Sequence, residues 1–251
     1  MLGFRLLWLG LFGLAKKFPQ AMGVSLVPGF IFYFGNKAVE GYAGLWFNYD
    51  WSFWFTFVGF FVLLVPFLSW ASINWHRVWI LGEFPPVFPR FKDWAWARYT
   101  VRLYGLLIGF VAVQFGIFYG IDLLLTGTRN SFDIEIIIGI VALGIALVDY
   151  LGCSWIMMRL LPCLSAIAVG DHSSFKQSWS QTAGYTAAII VISFSMLLII
   201  IGLSILIESI VPYRFVGWPF IVWIMFAMYV AVVTEFYSFV RAQNDVVQVF
   251  E

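Results

Sequence analysis

The sequence predicts an all-α protein: a polytopic transmembrane helical bundle of about six spans, with amphipathic helices lying at the interface. Three observations predict it. Of 251 residues, 63% are apolar and 11% charged, against roughly half and a quarter in ordinary soluble domains. Six stretches reach the ~20 mainly apolar residues that a spanning helix needs: residues 18–36, 51–75, 98–125, 134–158, 183–211 and 217–240. Most of the 13 Trp stand beside the ends of apolar runs, among them Trp46, Trp51, Trp75, Trp94, Trp155, Trp179 and Trp218, where an amphipathic ring suits the headgroup layer.

Taken in order, residues 4–17 (FRLLWLGLFGLAKK) carry Arg5, Lys16 and Lys17 around a Leu/Trp/Phe-rich body, which fits a helix lying in the interface. Counted as part of a span, they would change the total. No small-residue cleavage site follows, and the paired lysines come after the apolar run, so the segment reads as retained in the mature chain. The first span contains Pro19 and Pro28. In the fourth, Gly139, Gly144 and Gly152 with Ala142 and Ala146 give a close-packing face, which predicts a central position. The third and fifth are richer in large apolar residues and are expected to face lipid or a neighbouring subunit.

Orientation follows from the basic residues, because cytoplasmic loops retain Lys and Arg. With the N-terminus inside, all of the 14 basic residues except Lys37, Arg129 and Arg214 fall on the inner side. Both termini are therefore expected in the cytoplasm. The two inner connections share a plan: Phe-Lys, then Trp, then Tyr-Thr before the next span. Phe91-Lys92 and Phe175-Lys176 are 84 residues apart, and Tyr99-Thr100 and Tyr185-Thr186 are 86 apart. The chain then reads as a single integral membrane domain over 1–251, with repeat units 1–75, 76–158 and 159–251 as one reading and two loops obeying the same interfacial rules as the other. Ser174 and Gln177 have capping-box spacing, so an interfacial helix is expected to start there, with Phe175, Trp179 and Thr182 or Ala183 on one face and Lys176 beside them.

The span ending in WHR-x-x-x-LGE (Trp75, His76, Arg77, Leu81, Gly82, Glu83), with Ser174-Phe175-Lys176 and Trp179 opening the fifth span, resembles a broad group of uncharacterised bacterial inner-membrane proteins. These are similar to the membrane domain attached to some glycerophosphodiester phosphodiesterases. The resemblance implies a fold and a bacterial plasma (inner) membrane. It implies no catalytic motif in the membrane part.

Residues that could carry chemistry are few. Net charge is +1, which argues against a nucleic-acid partner, since phosphate recognition needs concentrated Lys and Arg. Cys153 and Cys163, ten residues apart, would lie about 15 Å apart along a helix, too far for a disulfide. Both read as buried thiols. His76 and His172 are expected at the interface as solvated side chains, not as cofactor ligands, and no metal or cofactor is expected. No HExxH, GxSxG, P-loop or GxGxxG occurs, so the common hydrolytic and nucleotide motifs are missing. Asp149 and Glu235 are the two deepest acids. Ionisable groups in the bilayer are costly and need a partner or a purpose, and Arg102, Arg159 and Arg241 are the candidate partners of one shared polar pocket.

Two functions follow. The first is a non-catalytic structural or accessory subunit, or an assembly factor, that docks to other subunits of a larger membrane complex and is bathed in membrane lipid. The second is a transporter or lipid-handling protein with a polar intramembrane pocket around Asp149 and Glu235. An enzyme is not expected, because no nucleophile paired with a base is visible.

Overall fold

The computed structural model describes residues 1–17, 19–20, 23, 29–30, 33, 51–83, 94–126, 132–210 and 214–250. The expected first span, 18–36, and the Phe91-Lys92 motif lie wholly or largely outside them. The described residues are helical, with no strand among them: α1 (Leu2–Lys16), α2 (Trp51–Ile80), α3 (Trp94–Thr126), α4 (Phe132–Leu160), α5 (Pro162–Ala168), α6 (Phe175–Gln181), a 3-10 turn (Ala183–Tyr185), α7 (Thr186–Ile210) and α8 (Arg214–Phe250). Three stretches of the described chain are both long and apolar enough to cross a bilayer: Leu143–Ala168, Ala183–Leu206 and Ile224–Asn244. Large apolar side chains stand in the open along α3 (Val101, Ile108, Tyr119, Leu123), α4 (Leu143, Val148, Ile156) and α7 (Ile190, Phe194, Leu198, Ile205). Acyl chains can cover such faces where water cannot, and the protein is accordingly a helical membrane protein.

The core sits where α1, α7 and α8 meet. Leu6 and Leu7 of α1 pack with Ile189, Ile192 and Met196 of α7, with Val232, Phe236 and Val240 of α8, and with Met158 of α4. Without a hydrophobic drive between helices in lipid, such packing depends on close approach, and glycines supply it. A Cβ on Gly3 would fall 2.7 Å from the Ala188 carbonyl oxygen, and one on Gly10 would fall 3.0 Å from the Val232 Cα. At Gly13 it would run into the Trp79 ring. Among the described residues the close-packing glycines are thus in α1. In α4, where the sequence suggested them, a Cβ on Gly144 or Gly152 would meet nothing within 4 Å.

Pro66 lies inside α2. Having no N–H, it leaves the Val62 carbonyl four residues earlier without its helical donor. Tyr104 of α3 supplies the missing bond, donating its hydroxyl to the Val62 oxygen. One turn of α2 further on, the Trp96 indole donates to the Pro66 oxygen at 3.3 Å.

After α4 the chain folds back into the bundle. Pro162, at a first-turn position where the missing N–H costs nothing, opens α5, and all seven residues of that helix are buried. Cys163, Leu164, Ile167 and Ala168 form a second core with Ile73 and Tyr99. The helix closes on Gly170, whose φ of 90° is strained for residues with a Cβ. Gly170 N–H donates to Ile167 and Asp171 N–H to Ala166, the paired bonds of a Schellman motif. The expected capping box is present: Ser174 Oγ accepts from the Gln177 N–H at 3.2 Å, and Gln177 Oε1 accepts from the Ser174 N–H at 2.9 Å. The inward face of α6 holds Ser178, which is buried, and leads on to Thr182, with Trp179 and Lys176 turned outward.

Candidate functional site

The polar side chains gather at one end of the bundle, around the α5–α6 connection. The Schellman turn delivers Asp171 to α8, where Tyr237 and Arg241 stand four residues apart on one face. Tyr237 donates its hydroxyl to Asp171 Oδ2 at 2.7 Å, and Arg241 Nη1 lies 3.1 Å from the same oxygen. Together with His172, Ser173 and Gln177 they line a cavity of about 240 Å³.

Beside the cavity is a cationic corner. Arg98 Nη1 lies 3.2 Å from His172 Nδ1. Arg102, one turn on, donates through Nη1 to Cys163 Sγ at 2.7 Å and to the Ser173 oxygen at 2.6 Å, with its guanidinium 5.5 Å from the Phe175 ring centre. Arg159 is only 6% exposed. Its guanidinium lies 4.0 Å from the Trp179 ring and 5.1 Å from the Trp155 ring, and it donates to the Trp179 oxygen at 2.7 Å and to Thr182 Oγ1 at 3.4 Å. These are stacking and neutral-acceptor contacts. Among the described residues no carboxylate pairs with Arg98, Arg102, Arg159 or Lys176.

Deeper in the bundle, Asp149 and Glu235 have separate surroundings. Asp149 of α4 accepts from Gln114 Nε2 of α3 at 2.7 Å and from Cys153 Sγ at 3.2 Å. Glu235 of α8 accepts from the Trp79 indole of α2 at 3.0 Å. Lys17, just after α1, lies 5.1 Å over the Trp79 ring and donates to the Val78 and Trp79 carbonyls, a cation on the closing turn of α2, where the helix dipole favours it. Burial holds the Lys17 ammonium below the ordinary lysine range, while Glu235 raises it and Lys16 lowers it further. Of the five residues expected in one pocket, the structure brings Arg102 and Arg241 to the two sides of the 171–173 loop, sets Arg159 against α6, and gives the two acids partners of their own.

His76 differs from its expected solvated setting. It is 2% exposed and ties three helices together. Thr234 Oγ1 of α8 donates to the Val230 oxygen at 2.6 Å, so at 2.7 Å from His76 Nδ1 it acts as acceptor and Nδ1 carries the proton. Nε2 is then the acceptor for the Tyr99 hydroxyl of α3 at 3.3 Å. Sequence reasoning missed this chain, together with Asp171, Tyr237, Gln114 and Trp79. Ser69, Ser72, Asn74 and His76 recur within one apolar helix, and that run was the signal available.

Among the described residues no group of three His, Cys, Asp or Glu side chains could hold a metal ion. Cys163 is buried and Cys153 half-buried, both as free thiols. No family model, curated protein or solved structure matches the chain.

Proposed function

We propose that this chain is a non-catalytic integral subunit or assembly factor that docks to a larger membrane complex, in the inner membrane of a bacterium. In this reading it crosses six times with both termini in the cytoplasm, and the units 1–75, 76–158 and 159–251 are versions of one interfacial helix plus hairpin. The observation that carries the docking role is the two-sided character of α1. One face is seated on α7 and α8 through Gly3 and Gly10, with Gly13 against α2. The opposite face presents Phe4, Trp8 and Phe12, one turn apart and largely exposed. A clamped helix presents such a row at little further cost in conformational entropy, and aromatic anchors dominate protein interfaces.

The interior favours the same reading over transport. The buried polar groups of the His76 chain hold helices to one another, and Asp149 and Glu235 are held by separate partners, Gln114 of α3 and Trp79 of α2.

A photo-reactive side chain placed at Trp8, and separately at Leu198 on the open face of α7, tests the docking surface in native membranes. A discrete protein adduct from position 8 with only lipid adducts from position 198 is expected. Lipid adducts alone from both positions, or recovery of nothing but monomer in mild detergent, would refute it. Compartment-specific reporters on each tail test the topology, and signals from opposite sides would overturn the even number of crossings.

A further inference from the structure

The cationic corner has a composition that the docking role does not use. Arg102 spends Nη1 on Cys163 and Ser173, and among the described residues nothing accepts from its Nε or Nη2. Arg98 Nε is buried with no hydrogen-bond partner. The Lys176 side chain is exposed, with no acceptor among the described residues. The nearby carboxylate, Asp171, is engaged by Tyr237 and Arg241 of α8. A cluster of guanidinium and ammonium groups that share so little internal counter-charge repels itself, and it is relieved by an anion that can meet several donors at once. A phosphate does so, because its oxygens match the guanidinium fork.

The surroundings indicate where that phosphate comes from. Trp94 is 76% exposed and Trp179 36% exposed, and such rings settle at headgroup depth. The open apolar stripe of α3 begins at Val101, the residue before Arg102, where an acyl chain would continue from a headgroup. We propose that Arg98, Arg102 and Lys176, flanked by Phe175 and Trp179, form a binding site for the phosphate of an anionic phospholipid.

The test uses the full chain in detergent micelles, titrated with phosphatidylglycerol or phosphatidylcholine and read by native mass spectrometry. A surface cation contributes about fivefold to anionic-lipid affinity. The wild type should therefore retain phosphatidylglycerol over phosphatidylcholine, and each of Arg102→Gln and Lys176→Gln should reduce that preference about fivefold. Lys176→Gln removes an exposed side chain only, so the test stands even where Arg102→Gln disturbs the Ser173 contact. Lys16→Gln, the same charge change on α1, should leave the preference intact. Equal retention of the two lipids, a preference unchanged in Lys176→Gln, or an equal loss in Lys16→Gln would overturn the site. Displacement of bound phosphatidylglycerol by equimolar inorganic phosphate would overturn the lipid as its ligand.

Discussion

The bond from Tyr104 to Val62 makes a sharp prediction, because the need for it is created by a single residue elsewhere. Pro66 takes away the donor that the Val62 carbonyl would have had within α2, and a carbonyl facing lipid finds no water to replace it. Hydrogen bonds between membrane helices average about 0.6 kcal/mol and reach about 1.7, because the separated helices find other partners. The Val62 carbonyl has no such alternative within its helix, which puts Tyr104→Phe at the upper end, a loss of about 1.5 kcal/mol. With Pro66→Ala the backbone N–H of residue 66 returns and serves Val62, so Tyr104→Phe in that background should cost close to nothing. The difference is a coupling energy of about 1.5 kcal/mol, which a double-mutant cycle isolates. Reversible unfolding of the four proteins in mixed micelles, followed by helix circular dichroism, measures it. Equal costs of Tyr104→Phe with proline and with alanine at position 66 would refute the compensation, since the phenol would then be acting by packing alone.

The remaining predictions concern α1, the Schellman turn and Lys17. Gly3→Ala and Gly10→Ala should each destabilise the protein by about 1–3 kcal/mol through overpacking, while Gly152→Ala, where nothing lies within 4 Å, should be neutral or better; thermal melts of the three would show a common value if the α1 seam were absent. Gly170→Ala forces a Cβ into the left-handed region and should cost about 1–2 kcal/mol, with Gly170→Asn recovering part of it; an unchanged melting temperature in Gly170→Ala would argue against the turn. For Lys17 the folded value lies below the unfolded one, so between them the unfolded chain holds more protons and stability rises with pH. The stability of the wild type relative to Lys17→Gln should therefore grow as pH rises through that window below the ordinary lysine range, and a relative stability that falls or stays flat would contradict the burial of the ammonium.

The helices were legible because their cause is local. A run such as TAAIIVISFSMLLIIIGL must hydrogen bond its own backbone in lipid, and the Ser174–Gln177 cap is complete within four residues. Pairings were less legible, because they depend on which faces meet. Glycines in α4 and in α1 look alike in sequence, yet Gly3 and Gly10 of α1 oppose a backbone, at Ala188 and Val232, while Gly144 and Gly152 of α4 meet nothing within 4 Å. His76 read as an interfacial imidazole because its partners, Tyr99 and Thr234, are 23 and 158 residues away. Asp149 and Glu235 each accept from a partner on another helix, Gln114 of α3 and Trp79 of α2, and periodicity along single helices cannot show such pairings. Asp171 went unremarked because its role depends on the left-handed Gly170 before it and on an i, i+4 pair in the last helix.

The α5 segment explains why one end of the bundle carries the polar chemistry. A connection of small and apolar residues, PCLSAIA, can be buried whole, and once buried it must satisfy its own final carbonyls, which the Gly170 turn does with backbone donors. That leaves the side chains and carbonyls just beyond it, from Asp171 to Ser173, free to bind cations on helices distant in sequence: Arg241 of α8, and Arg98 and Arg102 of α3. The arginines on the α3 side then receive neutral acceptors in place of charge, because the loop's carboxylate is taken up by α8. An uncompensated guanidinium is costly in the hydrocarbon layer and tolerable at its edge. The same geometry that orders the connection therefore leaves the arginines of α3 with neutral partners alone among the described residues.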